Sequence, residues 1–330
     1  MKVISLIYDE QKNAAPKAPS DINIILKKEL NVKITKIIRN GNYKIKLLFN
    51  FIKLAFTKEL IILQHPLLLR NSIYNFLPKK RTIILIHDIS SLRNQNDNNL
   101  KKELGIFKKF NYIIVHNNKM KNYLVSKGIK KESLYALDLF DYLANNNINK
   151  EYTFNSKNVT LIYPGNLKKE KSPFIYQLDD KKLNFKINLY GLGITNNISN
   201  KLQYKGSFEP DEINNINGDI GLIWDGNYDE SDEKEWYKNY TKYNNPHKLS
   251  CCMALGIPVI VWEKAAIADF IKKENIGYTI NNIYDINNID FSDYDIKRKN
   301  AIKIGERVRN GYYTKKVIDK IIKKIDEEKL

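Results

Sequence analysis

Lys242-Tyr243-Asn244-Asn245-Pro246-His247-Lys248-Leu249-Ser250 is the most informative stretch of this 330-residue sequence. Asn245 has the side chain of a helix N-cap, and Pro246 suits the first helical position, where an N–H has no intrahelical partner to lose. The helix is expected over Lys248–Leu255, with Gly256 as its stop and Pro258 opening a strand that runs to Trp262. That is the second half of a βαβ unit. A lysine in the first turn opposes the helix dipole unless an anion is bound there, so the start of this helix reads as an anion site suited to a diphosphate. An ordinary capped helix is the plainer reading of the same residues.

Working outward, short β-branched runs alternate with amphipathic stretches on both sides. Strands are expected at Val3–Ile7, Val32–Ile38, Leu60–Leu63, Thr82–Ile86 and Tyr112–Val115, and again at Val159–Tyr163, Phe185–Tyr190, Asp219–Trp224, Pro258–Trp262 and Gly277–Ile280. Helices are expected at Asp21–Leu30 with Ser20 as N-cap, at Lys44–Phe56, and at Lys119–Lys127 ending on Gly128. The polar stretch Asn145–Ser156 reads as a linker. Strands alternating with helices imply mainly parallel sheets covered on both faces. The expected division is residues 1–150 and 151–313, two Rossmann-like domains facing a central cleft. Thr314–Glu328 is expected to form a last helix whose stripe of Val317, Ile318, Ile321, Ile322 and Ile325 must pack on something, with the first domain as the candidate surface.

Composition bounds the partners. The formal charge of +18 comes from 55 Lys+Arg against 37 Asp+Glu, but only seven of the basic residues are arginines. Lysine, asparagine and isoleucine are enriched together along the chain, so the charge reads first as a solvated surface. Nucleic-acid readers favour arginine, and no arginine cluster occurs, so nucleic acid is not an expected partner. A basic surface drawn to an anionic nucleotide or membrane stays open, as does a homo-oligomer. No signal-like or membrane-spanning run is read, and the adjacent Cys251 and Cys252 offer neither a disulfide framework nor a zinc site; a cytoplasmic setting is expected.

Three histidines follow expected strands: His65 after Leu60–Leu63, His87 after Thr82–Ile86, His116 after Tyr112–Val115. In open α/β sheets ligands bind at the carboxyl ends of the strands, so the three converge on one candidate edge. His87-Asp88 is the best pair for a general base. Two further loops, Pro164-Gly165-Asn166-Leu167-Lys168 and Tyr190-Gly191-Leu192-Gly193, follow strands of the second half. Gly-x-Gly there lacks a third glycine, and no P-loop sequence occurs. Asp293-Tyr294-Asp295 reads as a helix start rather than a metal–diphosphate chelate. The run Asp229–Glu235 reads as a solvated loop. Trp224, Trp236 and Trp262 read as core or cleft wall, with Trp236 the one placed to stack on a sugar.

Five stretches together resemble one known family: Asn13-Ala14-Ala15-Pro16-Lys17-Ala18 with Asp21, Ile86-His87-Asp88-Ile89-Ser90-Ser91-Leu92-Arg93, Gly165-Asn166-Leu167-Lys168, Tyr190-Gly191-Leu192-Gly193, and Tyr243–Ser250 running on through Ala254-Leu255-Gly256-Ile257-Pro258-Val259. The sequence resembles the galactofuranosyltransferase-like glycosyltransferases of GT-B architecture. That family includes glucosyltransferases that extend O-linked N-acetylglucosamine on bacterial serine-rich adhesins. The resemblance implies a uridine diphosphate sugar as donor, held by the second domain, and a glycan or glycoprotein acceptor under the first. It implies that Asn166, Lys168, Tyr190 and Gly191 line the nucleotide side and that Tyr243, Asn245, Lys248, Leu249 and Ser250 surround the diphosphate and ribose. His87, Asp88 and Lys248 would be catalytic, and Ala15, Pro16, Lys17, His65, Arg93 and His116 would border the acceptor. Where many GT-B proteins place a ribose-binding Glu, this sequence has Cys251.

The expected reaction is hexosyl transfer to an acceptor hydroxyl. Lys248 and the helix start would neutralise the leaving diphosphate, His87 or Asp88 would take the acceptor proton, and domain closure would exclude water; neither metal nor cofactor is expected. The competing reading is a catalytically silent homologue that binds a glycan or serves as a partner subunit.

Overall fold

The structure is a computed structural model. It describes residues 3–9, 17–30, 33–37, 60–66, 71–94, 96–145, 152–195, 198–229 and 236–328, with the single positions 45, 49, 52 and 56. Two compact units form, one of residues 1–141 with 311–330 and the other of residues 142–310. The last helix therefore belongs to the first unit.

The first unit holds a parallel sheet in the order β2-β1-β3-β4-β5-β6. Its strands are β1 (Val3–Asp9), β2 (Lys33–Ile37), β3 (Leu60–His65), β4 (Thr82–Ile86), β5 (Tyr112–Val115) and β6 (Leu134–Ala136). Every residue of β3, β4 and β5 is buried, as expected of strands covered on both faces. β6 is only three residues long, too short to carry a period for the sequence reading to find. Helix α1 (Lys17–Leu30) starts three residues before Ser20, so Ser20 is inside it rather than capping it. Helix α2 spans Asp97–Phe107 and α3 spans Asn118–Ser126. Asn117 caps α3, its side chain accepting from the Met120 N–H at 2.9 Å. Most of the expected helix Lys44–Phe56 lies outside the described residues; positions 45, 49 and 52 within it are helical.

The second unit has the order β12-β11-β10-β7-β8-β9. Its strands are β7 (Thr160–Pro164), β8 (Lys186–Tyr190), β9 (Leu202–Tyr204), β10 (Ile220–Ile223), β11 (Val259–Trp262) and β12 (Gly277–Ile280). Counted within the unit this is 3-2-1-4-5-6, the doubly wound dinucleotide-fold order, and its switch point lies between β7 and β10. Helices α4 (Trp236–Thr241), α5 (His247–Ala254), α6 (Ala268–Glu274) and α7 (Tyr294–Arg309) follow in this unit; α5 packs on β7 and β10, α6 on β11 and β12, and α7 on α5. Helix α5 can lie close on β10 because Gly221 has no side chain. A Cβ there would meet Cys252 Sγ at 2.4 Å.

Helix α8 (Tyr312–Glu327) packs on α1 and β6 of the first unit. Val317, Ile318, Ile321 and Ile325 are buried along the expected stripe, each worth roughly 1.5–3 kcal/mol, while Ile322 is only half-buried. Asp141 receives this helix: its two carboxylate oxygens accept from the N–H groups of Tyr313 and Thr314 at 3.1 and 2.7 Å. Burial pushes the Asp141 carboxyl up to about 6, against the opposing pull of those hydrogen bonds.

Candidate active site

The carboxyl edge of the second sheet is built around Lys248. Helix α5 begins at His247, with Pro246 in the cap position and no side-chain cap bond. The expected cap, Asn245, is instead buried one residue earlier. Lys248 Nζ turns inward beneath the helix start, where its side chain is only 7% exposed. It donates to Asp225 Oδ1 (2.8 Å), to the Trp224 carbonyl (2.5 Å) and to Tyr163 Oη (3.0 Å), and lies 4.4 Å from the Tyr163 ring centroid. All three ammonium protons are thereby matched to acceptors. The anion that makes a first-turn lysine tolerable is here a carboxylate of the protein, just past β10.

Tyr163 extends this network to the glycine loop after β7. Its hydroxyl is 2.6 Å from Ser172 Oγ, which donates to the Asn166 carbonyl at 2.7 Å. Burial, with the charge of Asp225, raises the Tyr163 phenol well above its ordinary value, so it stays protonated. Two loops are sewn together at the same edge. The Gly165 N–H donates to the Tyr190 carbonyl at 2.9 Å, and the Leu167 N–H to the Leu192 carbonyl at 2.9 Å. Gly191, at φ +151°, could carry no side chain here, because a Cβ would lie 1.8 Å from the Gly165 oxygen. Asn166 and Lys168 are exposed at the loop, the Asn166 side chain accepting from the Lys168 N–H at 2.9 Å. The Tyr190 hydroxyl, by contrast, is taken up by the backbone of Asn217. Leu249, Ser250 and Cys251 are buried in the helix, and Tyr243 is half-buried before it. A pocket beside the helix start is lined by Ile223, Trp224, Asp225, Pro246 and Trp262.

At the carboxyl edge of the first sheet the three expected histidines come from adjacent strands. His87 stacks on Phe140 with centroids 5.6 Å apart, and His116 meets the same ring edge-on at 4.9 Å. His87 Nε2 donates to Gln64 Oε1 (2.5 Å), and the Gln64 amide donates to Asn23 Oδ1 (2.8 Å). Asp88 pairs with Arg93 at 2.8 Å. Burial drives His116 down to about 4, with the Asp88 charge and the carbonyls of Ile86 and His87 pulling the other way, so its ring is neutral at pH 7. His65 is the interior member of the group. Its Nε2 donates to Glu103 Oε1 at 2.9 Å, and Tyr74 Oη lies 2.8 Å from Nδ1. Burial raises the Glu103 carboxyl, but the bonds from His65 and Ser91 outweigh it and hold it below its ordinary value. With both ring nitrogens engaged and the residue buried, His65 braces the edge and is not a surface an acceptor can touch. Lys17 is likewise buried, 2.7 Å from Asp21. Ala15 and Pro16 lie outside the described residues.

Asp293 shows no cap bond; its oxygens take Tyr278 Oη and Lys297 Nζ, each at 2.9 Å. Trp224 and Trp262 are core residues. The Trp236 side chain and residues 230–235 of the acidic run are outside the description. Sequence reading missed Tyr163, Ser172 and Asp225 in the second unit, and Gln64, Glu103 and Phe140 in the first. The one available signal was an acid placed directly after a strand, as in Ile223-Trp224-Asp225.

Both halves match models of one family: residues 1–138 the glucosyltransferase 3-like N-terminal domain, and residues 161–321 its C-terminal domain. The chain is 32% identical to the beta-1,6-galactofuranosyltransferase WbbI of Escherichia coli K12, over 76% of this chain and 74% of that one. It is 28% identical to glucosyltransferase 3 of Streptococcus gordonii over 31% of this chain and 30% of that one. Among solved structures, the lipopolysaccharide outer core galactosyltransferase WaaB resembles it with a TM-score of 0.64 at 15% identity, over 98% of this chain and 100% of that one. Anabaena HepE in complex with UDP does so with 0.63 at 12%, over 99% and 100%. These likenesses are of fold, and the fold is GT-B.

Proposed function

The chain belongs to the glucosyltransferase 3-like family, and from that premise we propose that it moves a hexose, of glucose or galactose type, from a uridine diphosphate sugar to a hydroxyl of a glycan or glycoprotein. The observation that carries this is the meeting of three elements at the β7/β10 switch point: the Gly165 loop, the Gly191 loop and the start of α5, joined through Tyr163, Ser172, Asp225 and Lys248. Switch points of this strand order are where such sheets take their ligands. The names of WbbI and glucosyltransferase 3 support glycosyl transfer, and the UDP held by HepE supports the nucleotide.

In this reading the diphosphate lies at the start of α5, with Asn166 and Lys168 towards the nucleotide. Lys248 shifts from Asp225 to the leaving diphosphate as charge builds there. His87 or Asp88 takes the acceptor proton, with Gln64 and Phe140 fixing the imidazole plane. No metal or cofactor has a part, so turnover in excess chelator is the expected result. The deciding experiment offers the purified protein a panel of nucleotide sugars and measures donor hydrolysis; cleavage confined to uridine diphosphate sugars is expected. One observation favours a second reading. A lysine already neutralised by Asp225 is what a catalytically silent homologue would also have. No cleaved donor and no rise in melting temperature with UDP would decide for that homologue.

A further inference from the structure

Gln64 and His87 meet at the ends of β3 and β4, and the bonds behind Gln64 decide which atom of the ring can take a proton. The Gln64 side chain is buried. Its amide nitrogen lies 3.2 Å from the Pro19 carbonyl and 2.8 Å from Asn23 Oδ1, both on α1. A backbone carbonyl only accepts, so the nitrogen of Gln64 faces Pro19 and its oxygen faces His87. An amide oxygen also only accepts. His87 Nε2, 2.5 Å from that oxygen, therefore carries a hydrogen in the neutral ring and in the charged one. The lone pair of the neutral ring is then on Nδ1. Stacking on Phe140, with the planes 12° apart, and the 2.7 Å bond from the His87 N–H to the His65 carbonyl hold this pose. Asp88, the other candidate base, already accepts from Arg93 at 2.8 Å.

We infer that Gln64 is a positioning residue that holds His87 as the Nε2–H tautomer, and that Nδ1 is the atom that receives the acceptor's proton. This rests on the transferase reading above and chooses between its two bases. The acceptor O–H bond breaks with its proton passing to Nδ1. The oxygen's electron pair forms the glycosidic bond, and the bond from the anomeric carbon to the diphosphate breaks with its pair leaving on the diphosphate. The ring becomes an imidazolium, which the Gln64 oxygen on Nε2–H binds more strongly than the neutral ring.

The test is nuclear magnetic resonance of the full-length protein with isotope-labelled histidine nitrogens, the His87 signals being identified by their loss in His87→Gln. In the neutral ring, Nε2 is expected to carry the proton and Nδ1 to be bare. Gln64→Met removes the oxygen that stabilises the imidazolium, so the midpoint of the His87 titration is expected to fall by about half a pH unit or more. An amide turned the other way would make the same substitution raise it. The ionisable groups on the elements around the ring are the pairs Lys17–Asp21, His65–Glu103 and Asp88–Arg93, and His116; Gln64 bonds to none of them. In turnover, Gln64→Met should lower kcat about tenfold or more and leave KM for the donor within about twofold. A proton on Nδ1 in the wild type, a midpoint that rises or stays in Gln64→Met, or an unchanged kcat in that variant overturns the inference. If Gln64→Met does not fold, the wild-type tautomer decides. A protein with the expected tautomer that cleaves no nucleotide sugar overturns the transferase reading instead, and the proton-accepting role of Nδ1 with it.

Discussion

At the carboxyl edge of the first sheet, imidazoles are packed against aromatic rings; at the edge of the second, a cation is packed against a carboxylate. The first edge spends its polar atoms on orientation. Phe140 sets the planes of His87 and His116, and Gln64 holds His87 at one nitrogen. The second edge spends them on charge balance, with Asp225, the Trp224 carbonyl and Tyr163 surrounding one ammonium. An edge of the first kind suits proton transfer, where a ring must point correctly and carry no fixed charge. An edge of the second kind suits an anion that can take over a cation from its resident partner. The difference teaches that a residue after a strand announces a site, while its partner decides what the site does.

The strongest way to break this contrast is to remove the resident anion. Asp225→Asn leaves a buried ammonium without its carboxylate, and the free protein should lose about 3 kcal/mol of stability. UDP should restore more of that loss than it adds to the wild type, read as a larger rise in melting temperature. If UDP stabilises variant and wild type equally, Lys248 never leaves its pocket. Lys248→Ala comes next: hexosyl transfer should fall by about tenfold to a hundredfold with the circular dichroism intact. Near-normal turnover would reduce Lys248 to a structural partner of Asp225. On the first edge, His65→Gln should act through position alone. It should lower stability by about 1–3 kcal/mol through loss of the Glu103 bond, while changing kcat far less than His87→Ala does. A collapse of kcat equal to that of His87→Ala would make His65 a participant.

Much of this was readable before any coordinates. The parallel α/β halves followed from runs such as Thr82–Ile86 and Val259–Trp262, whose burial on both faces leaves an unbroken apolar signature. β6 and β9 were not readable, since strands of three residues at the two sheet margins carry no period. The site divides in the same way. His87, Asp88, Asn166 and Lys248 announce themselves by polar chemistry at strand ends and at a helix start. Glu103, Phe140 and Asp225 do not, because each acts on a residue 23 or more positions away, and local pattern has no access to such distances. Lys248 shows the cost: its need for an anion was legible, but Asp225, 23 residues upstream, was not.

The finest test concerns two buried groups of the first unit that titrate in opposite senses. Asp141 has its carboxyl raised to about 6 from 3.8. Between those values the folded protein binds more protons than the unfolded one, so this group's contribution to stability is present below pH 4 and is lost as the pH rises to 6. His116 is lowered to about 4 from 6.5. Over that interval the unfolded chain takes the proton, so its contribution is present above pH 6.5 and is lost as the pH falls to 4. The two slopes oppose each other between about pH 4 and 6, and the wild type should show a shallow net dependence there. His116→Asn should expose the Asp141 slope, with stability falling as pH rises. Asp141→Asn should expose the reverse. Asp21→Asn should reduce the first effect, because its charge is among the causes that raise Asp141. Urea midpoints at half-unit intervals of pH would read each sign directly; variants that both follow the wild-type curve would mean that neither group titrates differently on folding.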